Sequence, residues 1–287
     1  FKKGDRNLLK NYRPISLTNT DYKIIAFVLG TRMQSVIGKL VSLDQSAYIK
    51  GRFIGTNIRL ILDVFDYIED MDFEGSLLFL DFQKAFDTIE WPFIYNILHK
   101  FGFGESFIKW IMILYTNPDF CLKNNGWISE PVTMSRGIRQ GCPISALLFI
   151  LAVEVMSMKI KNCPEIKGLQ LGDRNIVISQ YADDTTLILK DEISIVHSLD
   201  IISCFSNVAG PRLNIEKTEG IWLGRFREND PNFMNINWTN KPVRCLGVYV
   251  GHDKANCQKL NWDNRIFKME NILQSWRMRN LTIFGKI

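Results

Sequence analysis

Histidine is scarce, with only His99, His197 and His252 in 287 residues, and the six cysteines (Cys121, Cys142, Cys163, Cys204, Cys245, Cys257) contain no C-x-x-C pair. This spacing argues against a zinc site and against a disulfide framework, so the thiols are expected to be reduced. No uninterrupted apolar run of about 18 residues occurs, and no signal-peptide pattern opens the chain; both absences argue against a membrane span or secretion. Disorder is excluded as well, because 46% hydrophobic and 23% charged residues are ordinary values for a globular protein with a sizeable core. The chain starts at Phe1 and stops in "LTIFGKI" without a turn or polar tail, and reads as a piece of a longer protein.

What is present is an uneven charge. Residues 1–59 carry 11 basic against 3 acidic side chains, residues 60–250 carry 17 against 24, and residues 251–287 carry 7 against 3. Basic flanks attract phosphate backbones, while an acidic middle repels them unless cations neutralise it. The pattern suits a metal-dependent enzyme acting on nucleic acid; solvated charged faces would produce it too.

Local patterns give the elements. A helix is expected near 21–41 and another at the end of "LVSLDQSAYIKGRFIGTNIRLILDVFDYIEDM", where Ile58, Ile61, Leu62, Phe65 and Ile68 recur at helical spacing. "SLLFLDF" reads as a strand buried on both faces, with Asp81 at its end. "WPFIYNILHKFG" and "SFIKWIMILY" read as helices, "CLKNNGWISEPVTM" as a hairpin, "SRGIRQGCPIS" as a glycine-rich loop and "ALLFILAVEVMSMKI" as an apolar helix. "NIVISQY" and "TTLILK" form a hairpin with Ala182 and Asp183 at its tip, and an amphipathic helix follows, ended by Gly210-Pro211. "LNIEKTEGIWLG" and "VRCLGVYVG" supply further strands. Trp262, Ile266, Met269, Leu273 and Trp276 mark a basic amphipathic helix whose apolar stripe is expected in the core.

Adjacent acids at Asp183 and Asp184 inside an apolar segment need a reason. An aspartate pair in a hairpin tip is ordinarily solvated, and a lone aspartate at a strand end is ordinarily a cap. If the two elements are sheet neighbours, however, three carboxylates converge and repel unless cations hold them. Magnesium suits such hard oxygens, and two ions can assist an in-line phosphoryl displacement.

Around these acids, "LDFQKAFDTIEW", "GIRQGCPISALLF" and "YADDTTLIL" follow one another in order. With "NYRPISL", "QSAYIKGRFIGTNIRLI" and the final "NW…W…R.LTIFGKI" pattern, the sequence resembles the reverse transcriptase family, most closely the polymerases of non-LTR (LINE-type) retrotransposons. The resemblance implies an α+β right-hand polymerase fold. Residues 1–73 would be fingers with a template-contacting insertion, 74–102 palm, 103–133 fingers, 134–250 palm with the primer-grip hairpin, and 251–287 the start of a thumb.

The same resemblance assigns roles. Asp81 and Asp183 would ligate two magnesium ions (manganese could substitute), with Asp184 supporting and the Phe82 carbonyl completing the shell. Phe86 would exclude a 2′-hydroxyl, with Ala85 letting the sugar approach. Gln140 and Gly141 would lie over the nucleotide and template base. Arg13 and Lys3 (or Lys2) would hold the triphosphate, which suits guanidinium's planar fork. Lys217 would donate a proton to departing pyrophosphate, although "NVAGPRLN" before it departs from the family's usual glycine-leucine-lysine run. Lys50, Arg52 and Arg59 would contact template, Leu246 and Gly247 the primer, and Arg265 and Lys268 the template–primer backbone.

The partners implied are an RNA template, a DNA primer or nicked target DNA, and dNTPs. No membrane is implied; an upstream endonuclease domain and a nuclear and cytoplasmic location in a eukaryotic host are. A group II intron-type reverse transcriptase shares the palm motifs, and a decayed relic that only binds RNA is a reading from another class. Phe86 disfavours a viral RNA-dependent RNA polymerase, and the intact motifs disfavour decay.

Overall fold

The computed structural model describes Asp5, Tyr12, residues 15–116 and residues 118–277. Helix α1 (Thr20–Leu40) turns Ala26, Leu29, Met33 and Ile37 inward at steps of three and four. Helix α2 (Ile54–Asp70) buries Ile61, Val64, Phe65 and Ile68 in the same way, together with one polar residue, Asn57. Strand β1 (Gly75–Leu80) is buried at every position, as an unbroken apolar run predicts. Strand β2 (Phe82–Gln83) and a single turn, α3 (Ala85–Thr88), lead to α4 (Trp91–Lys100), which Pro92 opens, and α5 (Glu105–Leu114).

Four short strands, β3 (Asp119–Phe120), β4 (Lys123–Asn124), β5 (Trp127–Ile128) and β6 (Val132–Thr133), nest as an exposed hairpin. Its tip, Asn125-Gly126, has φ of 48° and 85°, the primed geometry that matches strand twist. Helix α6 (Ser145–Lys161) buries 12 of its 17 residues, so its all-round apolar character puts it at the centre. The hairpin β7 (Leu169–Leu171) and β8 (Arg174–Ile176) precedes β9 (Ile178–Tyr181) and β10 (Asp184–Leu189). Helix α7 (Glu192–Ala209) starts at Asp191, whose carboxylate accepts from the Ser194 N–H at 2.8 Å, and stops at Gly210. Strands β11 (Arg212–Leu213), β12 (Glu219–Leu223) and β13 (Asn237–Trp238) follow, then the hairpin β14 (Val243–Cys245) and β15 (Val248–Val250), and finally α8 (Lys254–Arg277).

The main sheet has the order β13-β12-β1-β10-β9, antiparallel except for the β12–β13 pair. Alternation along β1 sends Leu78 and Leu80 into a large core with α1 and α4 to α7, and Leu77 and Phe79 into a smaller one with α2, β14 and β15. Leu77 and Leu78 are fully buried, each contributing roughly 1.5–3 kcal/mol. This is the expected α+β architecture. All six cysteines are free thiols, and among the described residues no helix is long and apolar enough to cross a membrane.

Two expectations need correction. "LNIEKTEGIWLG" is not continuous strand: Ile215–Lys217 forms a tight 3-10 turn between β11 and β12, because the Thr218 N–H bonds back to the Asn214 and Ile215 carbonyls. The apolar stripe of α8 is not core. Asn261 ties the helix to Tyr249 through bonds of 2.7 and 3.0 Å and Cys257 is buried, but Trp262 and every residue from Arg265 to Arg277 are exposed. Arg265 still bonds the turn of the hairpin, and beyond it the helix stands exposed; the amphipathic pattern alone could not say whether anything covers it.

Candidate active site

Strand register decides whether the acids meet. On β1 and β10, Leu80 pairs with Thr185, so Asp81, the next residue, reaches the sheet end where Asp184 opens β10. Asp184 pairs across to Tyr181, leaving Ala182 and Asp183 as a two-residue tip, with Ala182 at φ 57°. The three carboxylates therefore share one end of two neighbouring central strands; Asp81 and Asp183 are half-buried and Asp184 is exposed.

The backbone around Asp81 is clasped from the other side. The Asn214 N–H donates to the Asp81 carbonyl at 2.7 Å, and the Asp81 N–H donates to Thr218 Oγ1 at 3.4 Å. Carbonyls alternate in direction along extended chain, so that of Phe82, paired with Leu213, faces away from β11. Lys217 is exposed on the 3-10 turn beside this clasp. A cation at the sheet end would meet hard oxygen donors, a set that suits magnesium or manganese better than zinc. Among the described residues no three His, Cys, Asp or Glu side chains stand close enough to hold an ion as they are. The fit lies in donor chemistry and strand placement.

The glycine-rich loop folds against the segment after Asp81. The Ile138 N–H donates to the Phe86 carbonyl and the Gly137 N–H to the Ile89 carbonyl, both at 2.8 Å, while Trp91 Nε1 donates to the Gly137 carbonyl at 2.7 Å. A Cβ on Gly137, whose φ is 87°, would stand 2.6 Å from the Asp87 carbonyl oxygen, so only glycine fits. Gln140 donates to Asp87 Oδ1 at 3.3 Å and accepts at its carbonyl from the Ser16 N–H at 3.0 Å. Gly141 lies beside Ser16, whose carbonyl would be 3.4 Å from an added Cβ. Thus Ser16 reaches this loop, while Arg13, Lys3 and Lys2 lie outside the described residues. Ala85 is buried, and the half-buried Phe86 ring stacks on Phe149 at 4.2 Å.

Arg139 fixes the loop's middle. Its guanidinium lies 4.5 Å over the Tyr22 ring and 5.7 Å from that of Tyr115, and it donates to the Leu114 carbonyl at 3.1 Å. Burial, followed by the neighbouring Cys142 thiol, holds the Tyr22 phenol well above its ordinary pKa, so it stays neutral.

The nucleic-acid candidates scatter. Lys50 and Lys268 are exposed, and Arg59 pairs with Asp63 at 2.8 Å on the surface of α2. The Arg52 guanidinium bonds the main-chain carbonyls of Gly38, Val41, Ser42 and Gln45, which gives it a structural job. Leu246 and Gly247 form the β14–β15 turn, with φ of 48° and 84°, and Arg265 donates to the Gly247 carbonyl at 2.8 Å.

Sequence reasoning missed three residues at the sheet end. Gln45 and Asn57 are buried against β9 and the hairpin tip. Tyr48 is half-exposed with φ 57°; burial and then the Asp183 charge push its phenol pKa up. Asn57 had a readable signal, since a polar residue occupies a core position four before Ile61. Gln45 had none, because a loop glutamine is ordinarily solvated.

Residues 1–250 match the family profile described as Reverse transcriptase (RNA-dependent DNA polymerase). The chain is 32% identical over 257 residues to the Transposon TX1 uncharacterized 149 kDa protein of Xenopus laevis, covering 88% of this chain and 20% of that protein. It is 26% identical over 208 residues to the Retrovirus-related Pol polyprotein from type-2 retrotransposable element R2DM of Drosophila melanogaster, covering 72% and 19%. The chain thus spans about a fifth of the length of these curated relatives. Among solved structures, apo telomerase from Candida tropicalis aligns with a TM-score of 0.55 at 12% identity, over 84% of this chain and 40% of that one. Candida albicans telomerase with the TWJ fragment of telomeric RNA aligns at 0.52 and 11%, over 81% and 36%. At such identity the likeness is one of fold, the right-hand polymerase arrangement.

Proposed function

The chain belongs to the reverse transcriptase (RNA-dependent DNA polymerase) family, and from that premise we propose that it is the polymerase domain of a non-LTR retrotransposon protein. It would copy RNA into DNA by adding deoxynucleotides to a primer 3′-hydroxyl. The observation that supports this reading most is the register that brings Asp81 to the sheet end occupied by Asp183 and Asp184. The glycine-rich loop packs on the segment directly after Asp81, which agrees with a nucleotide held between them.

Asp81, Asp183, Asp184 and the Phe82 carbonyl would hold the divalent ions, which when bound activate the attacking hydroxyl and stabilise the leaving oxygens. The chain's own residues do the rest. Phe86, seated on Phe149, limits space at the sugar and rejects a 2′-hydroxyl. Gln140 and Gly141 lie over the base, Arg13 and Lys3 hold the triphosphate, and Lys217 gives a proton to the departing pyrophosphate. Residues 74–102 and 134–250 serve as palm, the intervening and preceding segments as fingers, and α8 as the root of a thumb carrying Arg265 and Lys268 along the duplex. An RNA template and a DNA primer or nicked target are the partners, inside a eukaryotic cell. The Pol polyprotein relative favours a multidomain parent, and an upstream endonuclease domain in that parent belongs to the proposal.

The test is extension of a DNA primer annealed to RNA by the full-length protein with dNTPs and magnesium. Asp183→Asn is expected to lower the rate by roughly three orders of magnitude, equivalent to several kcal/mol of transition-state stabilisation. Near-normal extension by that variant would falsify the metal assignment.

A further inference from the structure

The loop between α1 and α2 closes the open edge of β9 beside the hairpin tip. Gln45 bridges to Gln180 in parallel; the Gln180 N–H donates to the Asp44 carbonyl at 2.8 Å and the Ser46 N–H to the Gln180 carbonyl at 3.0 Å. Asn57 adds bonds from Nδ2 to Ser179 Oγ at 2.9 Å, the Gln180 carbonyl at 3.0 Å and the Asp44 carbonyl at 3.2 Å. The loop is itself braced from behind. Ser42 donates to the buried Glu154 carboxylate at 3.1 and 3.2 Å, Lys161 pairs with Asp44 at 2.6 Å, and Arg52 gathers four carbonyls.

Gln45 sits at the centre of this support with none of its surface exposed. Its amide oxygen accepts from the N–H groups of Ala47 and Ala182, both at 2.9 Å, and its amide nitrogen donates to the Ala182 carbonyl at 3.3 Å. One side chain therefore holds both main-chain groups of the residue between Tyr181 and Asp183. Ala182 occupies the left-handed region, which alanine avoids unless its surroundings impose it. A glutamine that only filled a loop would not need to grip that residue from both sides.

We propose that Gln45 is a positioning residue for the polymerase reaction: by fixing Ala182 it sets the direction of Asp183 at the sheet end. It touches neither substrate nor ion and acts through the backbone of the tip. The inference rests on the polymerase reading above.

The test uses the full-length protein, primer extension over a range of magnesium concentrations, thermal melting and binding of an RNA–DNA primer duplex. Gln45→Met removes all three bonds at similar volume. It is expected to raise the magnesium needed for half-maximal rate, or lower the rate, by roughly 10–100-fold, as supporting partners of metal ligands do, while duplex binding is unchanged. Gln45→Glu keeps both accepted bonds, loses the donated one and guards against a Met variant that fails to fold; a smaller loss in the same direction is expected. A folded variant with wild-type rate and magnesium dependence overturns the inference while the polymerase reading stands. A wild-type protein that extends no primer overturns both.

Discussion

The sheet end that carries Asp81, Asp183 and Asp184 and the far half of α8 both include apolar residues at regular spacing, and they meet opposite fates. At the sheet end, Leu78 is fully buried, the Asp81 backbone is held by Asn214 and Thr218, the Ala182 backbone by Gln45, and the carbonyls of Phe86 and Ile89 by Ile138 and Gly137. On α8, Leu273 is 57% exposed in an equally apolar stripe. Periodicity states which side of an element can be buried; it does not state whether a covering surface exists. Charge differs in the same sense, because the acids at the sheet end are fixed by two strands while Lys268 of α8 stands in solvent.

The contrast can be broken by substitutions graded from the braced end to the free one. Gly137→Ala should have the largest effect, because its Cβ would meet the Asp87 backbone at 2.6 Å in a left-handed conformation. A loss of about 3 kcal/mol is expected from strain and overlap together, read as a lower denaturation midpoint at unchanged slope. A midpoint equal to wild type would mean that the loop is slack.

An intermediate effect belongs to His252, at the root of α8. Its Nδ1 accepts from Arg227 Nε at 3.1 Å, and its Nε2 lies 3.1 Å from the Trp222 carbonyl, with Glu69 beside it at 3.3 Å. Burial, only partly opposed by the Glu69 carboxylate, holds its pKa below the ordinary 6.5. The unfolded chain therefore takes up the proton more readily than the folded one. The stability this neutral imidazole contributes is complete above 6.5 and is lost as pH falls through the lowered folded value. Urea titrations between about pH 7.5 and about pH 5 should show wild type losing its advantage over His252→Gln on acidification. An advantage that grew instead would mean that the Glu69 charge dominates.

Leu273→Ser should do least, changing stability by less than about 0.5 kcal/mol, as for an ordinary surface site. A drop several times larger would reveal a cover on this face and erase the contrast.

Much of this protein was written locally. The strand at Gly75–Leu80, the helices opened by Pro92 and closed by Gly210, the Asn125-Gly126 turn and the acids at both strand ends follow from side-chain period and turn chemistry, which act over a few residues. The α+β class and the family came instead from the resemblance of the motifs around those acids to reverse transcriptases. The 3-10 turn at Ile215–Lys217 was not readable, because it depends on Asn214 being drawn to the Asp81 carbonyl across the sheet. The roles of Gln45 and Arg52 were equally hidden. A glutamine or arginine in a polar loop looks the same whether it faces water or a distant backbone. Only the folded backbone decided which it met: Gln45 grips Ala182, 137 positions away, once the two are folded side by side, and Arg52 gathers carbonyls 7 to 14 positions back once its loop curls round it.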